Sequence, residues 1–163
     1  MTIRDIGHTS EDVAQMIPIV AILEQALGNR LVAVVLFGSR ARDTAHQGSD
    51  WDLLLVARQL PEKLFQRHLQ LKQILPPLWR GKVAIVAKTP EEFESDVSDL
   101  FLDIALDGII LYDTDNYMAE RLAHLRHLIH SQGLRREQRG DELLWRWEEF
   151  PGFGWSLQWE MTP

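Results

Sequence analysis

The residues most informative about chemistry begin with a glycine and a serine at the end of an apolar run. Gly38 and Ser39 directly follow the run Leu31–Phe37. Glycine has no Cβ, so its backbone can approach a ligand closely, and a serine hydroxyl with free backbone N–H groups at the start of a helix can bind a phosphate. Arg40 and Arg42 follow in the first turn and could add positive charge. This stretch therefore predicts a nucleotide-binding turn.

Two aspartates flank a tryptophan after ten further residues. Asp50 and Asp52 lie two positions apart at the start of a second apolar run, and in a strand this spacing points both carboxylates to one face. Trp51 would then point to the opposite, apolar face. Two carboxylates on one side repel each other unless a cation relieves them, and Mg²⁺ prefers carboxylates together with substrate phosphates. The two motifs together predict nucleotidyl transfer from a magnesium-bound nucleoside triphosphate, although each alone is typical of an ordinary turn or a solvated strand end.

The elements that must position these residues alternate between helix and strand. Apolar residues spaced by three and four positions predict helices, whereas short β-branched runs between turn residues predict strands buried on both faces. Predicted helices cover residues 11–27, 40–44, 61–75, 89–106 and 116–131, and predicted strands cover residues 31–37, 51–57, 82–87 and 109–112. The predicted buried positions of the helices over 11–27 and 61–75 are Val13, Ile17, Val20, Leu23, Leu27, Leu64, His68, Leu71 and Leu75. This order predicts an α/β domain with helices packed on a small sheet.

Composition sets the broad class of the protein. The 163 residues are 45% hydrophobic and 25% charged, which is typical of one globular domain with a short appendage. The net charge of −7 argues against broad, sequence-independent nucleic-acid binding, and the absence of cysteine excludes disulfides and thiolate metal sites. No apolar run reaches the roughly 18 residues of a membrane span, and the first residues lack the apolar stretch of a signal peptide. We therefore expect a cytoplasmic protein without membrane contact.

The two motifs resemble a known family. Phe37–Arg42 together with Gly48–Leu55 is similar to the minimal nucleotidyltransferase domain of the DNA polymerase β-type nucleotidyltransferase superfamily, over about residues 10–115. The resemblance implies the nucleotidyltransferase fold, a small mixed sheet flanked by helices. From the change in composition after the last predicted helix, we expect this domain to cover residues 1–132. A Trp-rich C-terminal extension covers residues 133–163. The family resemblance also implies that Asp50 and Asp52 bind Mg²⁺ and that Gly38 and Ser39 hold the triphosphate of ATP.

Members of this minimal group are similar to antitoxins that are paired with HEPN-domain ribonuclease toxins. The resemblance implies that the chain acts as an antitoxin in a toxin–antitoxin system and transfers AMP from ATP to a hydroxyl, expected to be that of a tyrosine, of a HEPN-type toxin. Such a pair could form a hetero-oligomer. Two alternatives remain open: a relative that neutralises its partner by binding alone, and nucleotidyl transfer to a small molecule.

The chain departs from the fullest pattern of the superfamily at one position. The superfamily often has a third carboxylate on the next strand, where it helps to deprotonate the acceptor hydroxyl and completes a second metal site. The position expected to align with it is Ala84, and the predicted strand over residues 82–87 contains no acid. Glu91 and Glu92 follow, but they are better explained as acids in the first turn of a helix. The departure weakens the expectation of turnover and leaves nucleotide binding unaffected.

The remaining candidates favour structural roles. Three histidines on the last predicted helix are expected to lie on a solvated face, and three arginines near a glutamate are expected in a solvated connection. His68 is expected to be a half-buried histidine on an apolar stripe. The three histidines of the last predicted helix are His124, His127 and His130, and the three arginines are Arg135, Arg136 and Arg139. The aromatic residues of the extension are too many to be exposed in a soluble monomer, so they are expected to fold back or to form an interface; they are Trp145, Trp147, Phe150, Phe153, Trp155 and Trp159.

Overall fold

A computed structural model describes residues 9–153 and 156–159, and the side chains of residues 9 and 10 are left undescribed. Within these residues the chain forms five α-helices and six β-strands. In chain order they are α1 Thr9–Leu27, β1 Leu31–Phe37, β2 Trp51–Ala57, α2 Leu64–Ile74, β3 Val83–Lys88, α3 Pro90–Ser95, α4 Asp99–Asp107, β4 Ile109–Asp113, α5 Tyr117–Ser131, β5 Leu134–Arg139 and β6 Glu142–Trp147.

The main sheet is mixed and has the strand order β3-β2-β1-β4. β1 is antiparallel to both β2 and β4, whereas β2 and β3 are parallel. The predicted fold class, helices around a small mixed sheet, is confirmed. This topology brings the end of β1 and the starts of β2, β3 and β4 to one edge of the sheet, where both sequence motifs lie.

Each face of the sheet carries its own hydrophobic core. One core joins α1 and α2 to alternate residues of β1 and β2, including Val34 and Leu53. The other joins α3, α4 and α5 to the intervening residues, including Val35 and Leu54. The six residues 31–36 are all buried, because β1 is central and covered on both sides. The continuous apolar run therefore predicted this strand correctly.

The first helix keeps its predicted extent but not all of its predicted buried positions. Pro18 lies inside α1 without ending it. Ile17 is 63% exposed, while Met16 and Ile19 are buried in the core. The prediction for Ile17 is wrong, because the buried stripe of the helix is rotated toward Met16.

The second helix shows the same kind of error. Leu64 is 71% exposed and His68 is also exposed, so the predictions of a buried Leu64 and a half-buried His68 are wrong. Arg67 is only 4% exposed and takes the inward position beside Leu71. The guanidinium of Arg67 makes this possible because it donates to the carbonyls of Pro61 and Ala87 and forms two hydrogen bonds with Glu92.

The single helix predicted over residues 89–106 is two helices. Thr89 caps α3, and its hydroxyl accepts from the N–H of Glu92 while the Glu92 carboxylate accepts from the N–H of Thr89. Asp96 has extended backbone and ends α3, and Ser98 caps α4 by accepting from the N–H of Phe101. A second cap inside the apolar pattern therefore divides the segment.

The polar segment after α5 is a strand, so the prediction of a solvated connection is wrong. β5 pairs with β6 as an antiparallel hairpin, and Arg136 forms ion pairs with Asp103 and Asp107. Five of the six residues of β5 are polar or charged, so this segment lacks the apolar alternation that predicts a strand. The domain boundary at residue 132 stays a prediction.

The aromatic residues of the extension differ in burial, and Trp147 is intermediate between the extremes at 37% exposed. Trp145 and Trp159 pack against the core beneath α4 and α5, as the fold-back alternative predicts. Phe150 and Phe153 are 67% and 100% exposed, and Trp155 lies outside the described residues.

No helix in the described part of the chain is both long and apolar enough to cross a membrane.

Candidate active site

The chain leaves β1 through a series of tight turns. Gly38 has φ +73°, a left-handed conformation that favours glycine, and its carbonyl accepts from the N–H groups of Ala41 and Arg42, each at 3.1 Å. The prediction of a short helix over residues 40–44 is wrong, because residues 40–43 form turns. Asp43 also has positive φ, +59°, and this left-handed residue prevents the turns from continuing as a helix.

Gly38 lies against the second aspartate of the motif. The β1–β2 register pairs Phe37 with Asp52, so the turn passes directly over the Asp52 side chain. A Cβ added to Gly38 would lie 2.3 Å from Oδ2 of Asp52, so the carboxylate or the turn would have to move. The left-handed backbone and this close approach together favour glycine at position 38.

The two aspartates interact electrostatically. Asp50 is exposed just before β2, and Asp52 is half-buried on its second residue. Burial raises the pKa of Asp52, the charge of Asp50 raises it further, and the charge of Arg42 opposes both. A divalent cation would relieve this repulsion. The donors also fit Mg²⁺, which binds through one or two carboxylates and keeps sites for water and phosphate.

The turn offers donors for phosphate oxygens. The backbone N–H groups of Ser39 and Arg40 donate to no acceptor within the part of the chain that the structure describes. Arg42 is half-buried, and its Nη1 lies 3.7 Å from Oδ2 of Asp107. That distance exceeds a hydrogen bond, so the Arg42 guanidinium keeps donors for a substrate.

Arg40 is occupied within the protein. Its side chain is buried, with the guanidinium carbon 3.5 Å from the centroid of the Trp51 ring. Nη1 donates to Asp12 at 2.8 Å, while Nε and Nη2 donate to the carbonyl of Ser49 at 3.3 and 2.8 Å. This geometry does not support the predicted nucleotide contact of Arg40. The residue joins α1, the turn and the start of β2, and Asp12 gives no local signal of this in the sequence.

Ala84 occupies the position expected for a third carboxylate. β2 and β3 are parallel with Asp52 paired to Ala84, and parallel partners in register share one face of the sheet. Ala84 is exposed, so the residues that the structure describes leave its methyl group open to solvent. β3 itself contains no acid.

The two glutamates after β3 have the predicted structural role. Both lie in the first turn of α3, and Glu91 is exposed. Two hydrogen bonds from Arg67 lower the pKa of Glu92 to about 2 against the opposing effect of burial. Glu92 is therefore committed to the helix cap and to Arg67.

The histidines on α5 form no metal site. Among the described residues, no group of three His, Cys, Asp or Glu side chains could hold a metal ion. His127 and His130 are exposed as predicted. His124 differs, because it is half-buried, stacks on Trp159 and hydrogen-bonds with its carbonyl.

Comparisons with known proteins cover most of the chain. Residues 19–117 match the family described as Polymerase beta, Nucleotidyltransferase, a region that contains the whole main sheet. A proposed protein adenylyltransferase of Methanocaldococcus jannaschii is 33% identical over 110 residues, which cover 65% of this chain and 75% of that protein. The hairpin of β5 and β6 lies beyond the family match.

Two solved structures have more distant similarity. A toxin–antitoxin structure with AMP-PNP is 20% identical with a TM-score of 0.49, covering 71% of this chain and 91% of that chain. A chain from the complex of a tri-AMPylated HEPN toxin with an MNT antitoxin of Shewanella oneidensis is 19% identical with a TM-score of 0.46, covering 76% of this chain and 92% of that chain.

Proposed function

Because the chain belongs to the polymerase beta nucleotidyltransferase family, we propose that it transfers AMP from ATP to a hydroxyl group of a partner protein in a Mg²⁺-dependent reaction. The observation that carries the proposal is the close approach of Gly38 to Asp52 beside Asp50. This arrangement combines a turn for phosphate with paired carboxylates for a cation. The adenylyl group and the protein acceptor are supported by the relative from Methanocaldococcus jannaschii, whose name is that of a protein adenylyltransferase.

The proposed roles follow from the chemistry of each group. Asp50 and Asp52 would hold Mg²⁺, which neutralises phosphate charge and polarises the phosphoryl oxygens when bound. Gly38 lets the backbone approach the triphosphate, and the N–H groups of Ser39 and Arg40 donate to its oxygens. Arg42 adds a cation that is only loosely paired within the protein.

The transfer exchanges one bond to phosphorus for another. The acceptor oxygen bonds to the α-phosphorus, and the bond from that phosphorus to its bridging oxygen breaks, so that pyrophosphate leaves with the bonding electrons. The hydroxyl proton passes to water, because Ala84 supplies no base beside Asp52. General-base assistance is typically worth about 10²–10⁴-fold, whereas positioning and charge account for most phosphoryl-type catalysis. We therefore expect slow but measurable transfer.

The proposed acceptor is a HEPN-domain ribonuclease toxin, as the sequence resemblance implies, with a tyrosine hydroxyl as the modified group. The chain would then be the antitoxin of the pair. The exposed methyl group of Ala84 favours a second candidate, in which the chain neutralises this toxin by binding without turnover.

Binding is tested first, with ATP and Mg²⁺ alone. We expect Mg-ATP to raise the melting temperature of the natural protein, and we expect the double variant Asp50→Asn with Asp52→Asn to lose most of that rise. Asp115→Asn is the matched control, because Asp115 is exposed and follows β4 at the opposite edge of the sheet. A double variant that responds to Mg-ATP as the natural protein does would contradict the placement of the site.

Transfer is tested by the intact mass of the toxin after incubation with ATP and Mg²⁺. We expect a mass increase of one or more adenylyl groups with the natural protein and none with Asp52→Asn. If the natural protein neutralises the toxin without changing its mass, the binding-only candidate replaces the enzyme.

A further inference from the structure

The C-terminal hairpin contacts the end of α4 beside the candidate active site. Arg136 on β5 donates to both carboxylate oxygens of Asp107, from Nη1 at 2.6 Å and from Nη2 at 2.8 Å. Nη1 also donates to Asp103 at 3.2 Å, and the indole N–H of Trp145 on β6 donates to the same Asp103 oxygen at 3.0 Å. Both strands of the hairpin are therefore fixed to the last two turns of α4.

Asp107 connects this contact to the turn after β1. Its Oδ2 accepts from Arg136 and lies 3.7 Å from Nη1 of Arg42. Arg42 in turn is close enough to Asp52 to lower the pKa of that carboxyl. A continuous series of charges thus runs from the hairpin to the candidate metal ligand.

These charges are largely shielded from water. The side chains of Asp107 and Arg136 are 13% and 18% exposed, and that of Arg42 is 30% exposed. Partly buried charges are screened less than exposed ones, so each ion pair influences the next. By contrast, Arg135 on the same strand is 64% exposed and pairs with Glu137, which also lies on the hairpin.

We propose that Arg136 is a positioning residue that satisfies Asp107 and so leaves Arg42 available to the triphosphate. Two short hydrogen bonds from Arg136 occupy both oxygens of Asp107, and Arg42 remains at a distance longer than a hydrogen bond. Without Arg136, Asp107 keeps Arg42 as its near cation and draws that guanidinium into a closer pair. The donors of Arg42 then no longer reach phosphate oxygens. This inference rests on the proposed nucleotide binding, and it assigns a role to a strand beyond the matched family region.

The opposing effects of two substitutions test the inference. Arg136→Gln is expected to weaken binding of Mg-ATP about tenfold, the effect of an ion pair of about 1.4 kcal/mol. Adding Asp107→Asn removes the carboxylate that captures Arg42, so the double variant is expected to bind within about threefold of the natural protein, a non-additivity that identifies coupled residues. Arg135→Gln is the matched control and is expected to leave binding unchanged.

Binding is measured by titration calorimetry with ATP and Mg²⁺, and thermal melts of all variants accompany it. A purely structural role for Arg136 predicts that the double variant is less stable and binds no better than Arg136→Gln, and this result would overturn the inference. Unchanged binding by Arg136→Gln would overturn it as well, while the proposed function stands. If the natural protein binds no Mg-ATP, both the inference and the proposed function fail.

Discussion

The substitution Gly38→Ala gives the sharpest test of the close approach between the turn and Asp52. The added methyl group would lie 2.3 Å from Oδ2, 3.2 Å from Cγ and 3.3 Å from Cβ of Asp52. The carboxylate must therefore rotate or the turn must lift. Either movement displaces a proposed ligand of Mg²⁺ from the turn that is proposed to bind phosphate.

The expected loss has two parts that a second glycine separates. Left-handed backbone costs a non-glycine residue roughly 1–2 kcal/mol, and this cost applies to Gly38 at φ +73° and equally to Gly28 at φ +57°. Nothing lies within 4 Å of a Cβ added to Gly28, so Gly28→Ala carries the backbone cost alone. Displacing a reacting group by about 1 Å costs on the order of 100-fold in rate. We expect that loss only in Gly38→Ala.

The assay compares both variants for thermal stability and for AMP transfer to the acceptor protein. Stability is expected to fall in both variants, whereas the roughly 100-fold loss of transfer and a smaller Mg-ATP-dependent rise in melting temperature are expected only in Gly38→Ala. In a background of Asp52→Ala, the extra instability of Gly38→Ala over Gly28→Ala is expected to shrink, because most of the clashing atoms are gone. Equal responses of the two alanine variants to Mg-ATP would refute the reasoning.

Three further outcomes follow from other contacts. Ala84→Asp is expected to accelerate AMP transfer. The gain should be less than the roughly 10²–10⁴-fold of a general base, because a third carboxylate adds repulsion. Incorporation of labelled AMP measures the rate, and a rate unchanged from that of the natural protein would contradict this prediction. The pKa of Glu92 is lowered from 4.5 to about 2. The contribution of the ionised Glu92 carboxylate to the stability of the folded protein is therefore complete above about pH 4.5 and is lost as the pH falls toward 2. Because the Glu92 side chain is 40% exposed and solvent weakens its ion pair, the lowered pKa contributes about 1–2 kcal/mol to the free energy of unfolding. The acid unfolding of Glu92→Gln should lack this loss. Trp159→Ala is expected to lower the free energy of unfolding by about 2 kcal/mol, since the indole is only partly buried; chemical denaturation should show no change for Phe153→Ala, which is fully exposed.

The strands of the main sheet could be predicted because their physical cause is local. A short β-branched apolar run such as Leu31–Phe37 is typical of a strand that is covered on both faces of its sheet. The structure buries this run in that way. The start of β2 and the capped start of α3 also depend on neighbouring residues in the chain. These features therefore appear in the sequence at their correct places.

The buried faces of the helices could be predicted only in part, because long side chains can occupy either environment. On α2 the sequence offers Arg67 and His68 side by side, and an imidazole is ordinarily the easier group to bury. The choice falls on Arg67 because Glu92, 25 residues away, supplies a bidentate partner. No local pattern contains that information.

The hairpin was missed for a related reason. Arg136 is a charged residue inside a strand, and its partners Asp103 and Asp107 lie on α4 about 30 residues earlier. The ion pairs replace the apolar contacts that make most strands visible in a sequence. Only the tertiary structure brings these opposite charges together.

Arg40 and Arg42 show how residues of one type, two positions apart, acquire different functions. Arg40 is enclosed by the Trp51 ring and Asp12, and its bonds to the Ser49 carbonyl fix the chain immediately before Asp50. The charge of Arg42 lowers the pKa of Asp52, and its guanidinium keeps only a loose pair with Asp107. The two guanidiniums therefore differ in what they are free to do: that of Arg40 holds the turn after β1 against the start of β2, whereas that of Arg42 is only loosely paired and, under the proposed function, is available to a bound nucleotide.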